Sequence, residues 1–127
     1  MTVIARTLLD EIVARTCGKA DAEVCGLLFG TAQAIDAVRH TANVAAHPED
    51  SFEVDPAELL AAMRAERAGG ARLVGHYHSH PNGSPVPSAR DLAAAEPGRL
   101  WLIVAGDEAR LWLAEERGFG PLPLDIA

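Results

Sequence analysis

The sequence predicts an α+β domain, and three observations predict it. Two stretches carry apolar residues at helical spacing, several short apolar runs are bounded by glycines, and two of those runs are joined by a tight Gly-Asp-Glu turn. A chain of 127 residues has the length of one domain and can bury a core without staples, so residues 1–127 are read as a single domain. Hydrophobic residues make up 49% and charged residues 23%, which excludes a disordered chain and a collagen-like repeat. Eleven Lys and Arg stand against 18 Asp and Glu, a net charge of −7. Binding a nucleic-acid backbone needs clustered basic residues, so no nucleic-acid partner is expected. Cys17 and Cys25 are too few for a disulfide framework and lack CxxC spacing; free thiols in a reducing cytoplasm are expected. No apolar run approaches the roughly 18 residues of a membrane span, and acidic residues interrupt the N-terminal segment where a signal peptide would be apolar.

Ile4, Leu8, Leu9, Ile12 and Val13 recur at helical spacing, which predicts an amphipathic helix over residues 4–16 with Arg6, Glu11 and Arg15 facing water. Residues 23–30 form an apolar run closed by Gly30, and residues 34–38 follow after a Gly30-Thr31 turn; these read as two neighbouring strands. The polar stretch 43–52 reads as a loop. Asp55 is a helix cap, Pro56 suits the first helical position and Glu58 stands where a capping-box acid reaches back, so a helix runs to Ala68 and stops at Gly69-Gly70. Residues 72–78 read as a strand, and 82–87 as a turn stiffened by Pro85 and Pro87. A second capped helix is predicted from Ser88 to Glu96, and 100–105 with 109–114 form a hairpin through Gly106-Asp107-Glu108. The tail, with Pro121 and Pro123, has room for an edge strand at most.

The unusual segment is His76-Tyr77-His78-Ser79-His80-Pro81. On a strand the side chains of i and i+2 share a face, so His78 and His80 can converge on one metal ion. His76 and His80 are separated by roughly 13 Å of rise, too far to share it, and His76 is left aside. A third ligand is required, and Asp91 fits because the proline-stiffened turn brings the chain back onto the first turn of a helix. Three protein ligands leave a fourth position for water, which separates a catalytic zinc from a structural one; zinc lowers the pKa of that water to about 7. Ser88 and Asp91 also read as an ordinary capping box. Eight residues beyond the histidine pair, the same two side chains can cap the helix and face the metal, with the Ser88 hydroxyl free to donate to an oxyanion. Spacing alone leaves Glu23, Glu49, Asp50 and Glu53 equally eligible to move a proton.

Gly75-His-Tyr-His-Ser-His-Pro81 followed by Pro87-Ser-Ala-Arg-Asp91 resembles the motif of the JAMM metalloproteases of the MPN-domain family, in which a distant Glu precedes His-Ser/Thr-His, seven residues and Ser-x-x-Asp. Glu23-Val-Cys-Gly-Leu-Leu-Phe-Gly30 resembles the family's first motif, and the likeness runs from about residue 5 to 115. The resemblance implies zinc ligation by His78, His80 and Asp91, a general acid/base role for Glu23 and oxyanion stabilisation by Ser88. It also implies a curved, largely antiparallel sheet flanked by helices, a closure that periodicity does not supply. Cys25, on the face of Glu23, is read as a small buried hydrophobe.

Family members with this site cleave the bond after the C-terminal glycines of ubiquitin-like proteins. This chain lacks room for the segments that hold two ubiquitins, so the resemblance is to compact prokaryotic members. It implies a zinc-dependent peptidase or isopeptidase that acts on a ubiquitin-like or sulfur-carrier protein, removing a residue such as cysteine or a C-terminal extension. A non-catalytic MPN-type scaffold and a zinc hydrolase of small peptides are the alternatives; a scaffold would lack ligands that are all present here.

Overall fold

A computed structural model describes residues 1–19 and 21–127. The elements are β1 (Thr2–Ile4), α1 (Arg6–Thr16), β2 (Cys25–Gly30), β3 (Ala34–Thr41), α2 (Pro56–Arg67), β4 (Leu73–Ser79), α3 (Ala89–Ala94), β5 (Leu100–Ala105), β6 (Glu108–Glu115), β7 (Gly118–Leu122) and β8 (Leu124–Ile126). They form the expected α+β architecture, with one eight-stranded sheet in the order β7-β6-β5-β4-β2-β3-β1-β8. β1 runs parallel to β3 and β8, and β4 parallel to β5, while the β2–β3, β2–β4, β5–β6 and β6–β7 pairs are antiparallel.

Curvature follows from connectivity. β7 and β8 occupy opposite ends of the strand order, yet Pro123 alone separates them. Seven gaps between strands laid flat would span roughly 34 Å. One residue cannot bridge that, so the sheet rolls until its edges adjoin, and the Pro123 carbonyl accepts the Thr2 N–H at 3.2 Å. The tail is thus two edge strands rather than one.

Ile4 belongs to β1, not to the first helix, which begins at Arg6. Its burial is complete because β3 and β8 flank it, partners that a helical spacing rule does not include. Arg15 does not face water. Its guanidinium donates to the carbonyls of Cys25 (2.6 Å) and Thr41 (2.7 Å) and to the Tyr77 hydroxyl (2.6 Å), clamping α1 to the sheet. Asp55 caps α2 through the Ala57 N–H at 3.0 Å as expected, whereas Glu58 turns outward to Arg39 at 3.3 Å. The third helix stops at Ala94, short of Glu96.

The main core gathers Ile4, Leu9, Ile12, Leu28, Tyr77 and Leu102 beneath α1, and a smaller one gathers Leu27, Ala62 and Leu73 beneath α2. Leu28 pairs with Gly75 and Phe29 with Leu73, so Val74 is an extra residue on β4. This bulge sends Leu73 and Tyr77, four residues apart, to opposite faces. Along β4, Tyr77 then serves the α1 core while His76 and His78 face the aromatic ring of Phe52.

Gly75 permits the β4–β5 contact that carries this strand, because a Cβ there would overlap the Leu100 carbonyl. Gly75→Ala is expected to destabilise the fold by about 3 kcal/mol, checked by urea denaturation; a loss below about 0.5 kcal/mol would show that the two strands separate without strain.

Candidate metal centre

β4 delivers His78, and the chain just beyond it delivers His80, whose N–H is held by the Val104 carbonyl at 2.8 Å. The following turn is pinned at both ends: Trp112 Nε1 donates to the Pro85 carbonyl at 3.0 Å, and Ser84 N–H donates to Asn82 Oδ1 at 3.0 Å. α3 then begins with a reciprocal capping box. Ser88 Oγ accepts the Asp91 N–H at 3.1 Å, and Asp91 Oδ2 accepts the Ser88 N–H at 2.9 Å.

That same Asp91 Oδ2 lies 3.0 Å from His80 Nε2 and 3.2 Å from His78 Nε2, and the two Nε2 atoms are 3.0 Å apart. All three side chains are buried. His80 Nδ1 meets the Ser84 carbonyl at 2.7 Å, so its proton sits there and the Nε2 lone pair points into the triangle. The edges of this triangle are close to the about 3.3 Å edge of a tetrahedron built from zinc–nitrogen bonds of 2.0–2.1 Å. Two imidazoles and a carboxylate aimed at one point, away from solvent, suit a divalent cation.

Glu23 stands beside them, its carboxylate within 4.8 Å of the histidine ligand atoms and 5% exposed, with Oε1 buried and without a hydrogen-bond partner. Glu23 lies just outside β2, so no strand ladder holds it. Instead, its N–H donates to the Pro48 carbonyl at 2.7 Å, and its neighbour Val24 exchanges two bonds with Ser79: Val24 N–H to Ser79 Oγ at 2.8 Å and Ser79 N–H to the Val24 carbonyl at 2.9 Å. Ser79 was invisible to the spacing argument except as the residue between two histidines. Phe52 was also missed; its ring stacks on His78 at 4.2 Å and 19°.

Burial sets the direction for Glu23, His76 and His78. It raises the Glu23 carboxyl from the ordinary 4.5 to about 7, with His80 opposing and Asp91 assisting. Burial likewise lowers His78 despite Asp91, and drops His76, packed against Trp101, to about 3. Against its own burial, Asp91 is held well below the carboxylate range by the two histidines, and His80 is raised by Asp91 and the Ser84 carbonyl. A cleft of about 310 Å³ opens onto Glu23, His80 and Ser88, with Asp50 and Arg90 at its mouth, 3.6 Å apart. Glu49, Asp50 and Glu53 are exposed, so burial beside the histidines singles out Glu23 from that group. His76 remains apart from the triangle, and Cys25 is fully buried against Thr41.

The profile of the family described as prokaryotic homologs of the JAB domain matches residues 5–115. The chain belongs to this family. It is 41% identical over 116 residues to a desampylase of Haloferax volcanii, covering 87% of this chain and 84% of that one. It is 34% identical over 113 residues to a probable TtuB-protein conjugate cleaving protease of Thermus thermophilus, covering 89% and 76%. A Desulfitobacterium hafniense protein solved in solution shares the fold with a TM-score of 0.83 and 27% identity, covering 100% of this chain and 93% of that one. Among the described residues, no helix is long and apolar enough to cross a membrane.

The raised Glu23 has a sign that can be measured on the metal-free chain. Between pH 4.5 and about 7 the folded state holds a proton that the unfolded state has released, so stability from this group is full below pH 4.5 and is lost as pH rises through about 7. Glu23→Gln is therefore expected to be more stable than the native chain at pH 8 and no more stable at pH 4. Parallel urea titrations at the two pH values check this; an equal difference at both would remove burial as the cause.

Proposed function

We propose that residues 1–127 act as one zinc-dependent peptidase domain that hydrolyses the amide bond after the C-terminal glycines of a ubiquitin-like or sulfur-carrier protein. The observation that carries this reading is the buried His78–His80–Asp91 triangle with the Glu23 carboxylate beside it. Relatives named desampylase and TtuB-protein conjugate cleaving protease support a protein conjugate as the substrate class. Zinc, when bound by His78, His80 and Asp91, supplies Lewis acidity that brings the pKa of water near 7 and polarises a carbonyl oxygen.

The chain's own groups do the rest. Glu23, buried beside the histidines with Oε1 free of other partners, takes a proton from the attacking water and returns it to the leaving amine. The Ser88 hydroxyl accepts the Asp91 N–H through a lone pair and keeps its own proton, which it donates to the developing oxyanion. The cleft beside Glu23, His80 and Ser88 suits an extended tail whose glycines have no side chains to clash. Cys17 and Cys25 are free thiols, which suits a reducing compartment, and we place the enzyme in the cytoplasm.

The test is elemental analysis together with intact-mass assay of carrier fusions that bear an extension after a terminal Gly-Gly. His78→Ala and Asp91→Ala are expected to lose zinc and turnover together, and Glu23→Gln to keep zinc and lose turnover. A chain that takes up no zinc, or a Glu23→Gln variant with native turnover, would sink the mechanism. Ser88→Ala is expected to cost about 1 kcal/mol of stability through the lost cap and about a hundredfold in kcat. A stability loss without a rate loss would reduce Ser88 to a cap alone.

A further inference from the structure

Asn43 sits half-buried where the chain leaves β3 for the loop that leads to α2, bridged to Val54. Its side chain makes four hydrogen bonds, all to backbone. Nδ2 donates to the carbonyls of Glu23 (2.9 Å) and Ser51 (3.0 Å), and Oδ1 accepts from the N–H groups of Ala45 (3.0 Å) and Glu53 (3.0 Å). These partners fix the amide's orientation, because a flip would set donors against donors and oxygen against oxygen.

Two of the four bonds join parts of the metal centre that the sheet leaves unsupported. The Glu23 peptide lies outside β2, and its N–H is held by Pro48 on the same loop. Ser51 precedes Phe52, whose ring covers His78. His78 needs that cover: its Nδ1 is buried without a hydrogen-bond partner, whereas His80 is oriented by the Ser84 carbonyl. We propose that Asn43 is a positioning residue, its amide holding the Glu23 peptide and the Phe52 brace of His78 at a set separation across the metal centre. This rests on Glu23 being the proton carrier, and Asn43 acts only through it and through Phe52.

Asn43→Asp separates the two halves of the side chain. An aspartate keeps the oxygen that accepts from Ala45 and Glu53, so the loop retains its turn, but it loses both donors and with them the tie to Glu23. In the metal-free protein followed by NMR, the Glu23 amide is expected to exchange with solvent about tenfold faster or more, with the mid-strand Leu28 amide unchanged. In the zinc-loaded protein acting on a Gly-Gly fusion, kcat is expected to fall about tenfold or more with KM within about twofold and zinc content unchanged. Faster exchange with native kcat would make Asn43 a loop anchor and overturn the proposal. Native exchange, or a loss confined to KM, would overturn it as well. If Asn43→Asp does not fold, Asn43→Ser, whose hydroxyl oxygen still accepts but whose single O–H replaces two N–H donors, is read by the same exchange and kcat measurements. A native chain that cleaves no fusion overturns the functional reading and this proposal with it, whereas an active native chain with an equally active Asn43→Asp overturns this proposal alone.

Discussion

Asp91 Oδ2 accepts the Ser88 N–H at 2.9 Å while standing 3.0 and 3.2 Å from two histidine nitrogens, and the candidate metal centre depends on that double duty. A carboxylate on a flexible loop would lose rotamer freedom on meeting a cation. Here the helix start has already spent it, since the cap holds the oxygen in place before any metal arrives. The same bond explains why the third helix can be short. α3 spans six residues and need only fix one carboxylate and one hydroxyl at its first turn.

Around that oxygen the protein uses three different devices to hold three side chains. His80 is oriented by a hydrogen bond from its far nitrogen, His78 by an aromatic stack, and Glu23 by bonds to the peptide on which it stands. The difference follows from the neighbours. His80 lies beside a turn with a spare carbonyl, His78 lies inside the sheet where both adjacent strands have used theirs, and Glu23 precedes the first ladder bond of β2. Burial pushes Glu23 up and His78 down, whereas Asp91 keeps its charge against its own burial through the two histidines and in turn raises His80.

Much of the fold was legible because its elements announce themselves locally. The Asp55-Pro56 start, the glycine stops and the hairpin at Gly106-Asp107 depend on residues within a few positions of one another. Ile4 and Arg15 depart from the helical spacing rule for a common reason. Each is placed by strands distant in the chain, β3 and β8 for Ile4 and the ends of β2 and β3 for Arg15, and those contacts outweigh helical spacing. Asn43 and Phe52 had no signal at all, since an asparagine in a polar loop and a phenylalanine near a helix start are ordinary until their partners are known.

By itself the sequence determined the side-chain types of the candidate site and their order: two histidines on alternate residues, and a Ser-x-x-Asp cap at the start of the next helix. Those are local facts, set by strand pleat and helix capping. Spacing left several acids eligible and the family resemblance pointed to Glu23, but only the tertiary structure brings its carboxylate beside the histidines. Glu23 and His78 are far apart in the chain, and they meet because β2 lies antiparallel to β4 in a sheet whose curvature is forced by the single residue between β7 and β8.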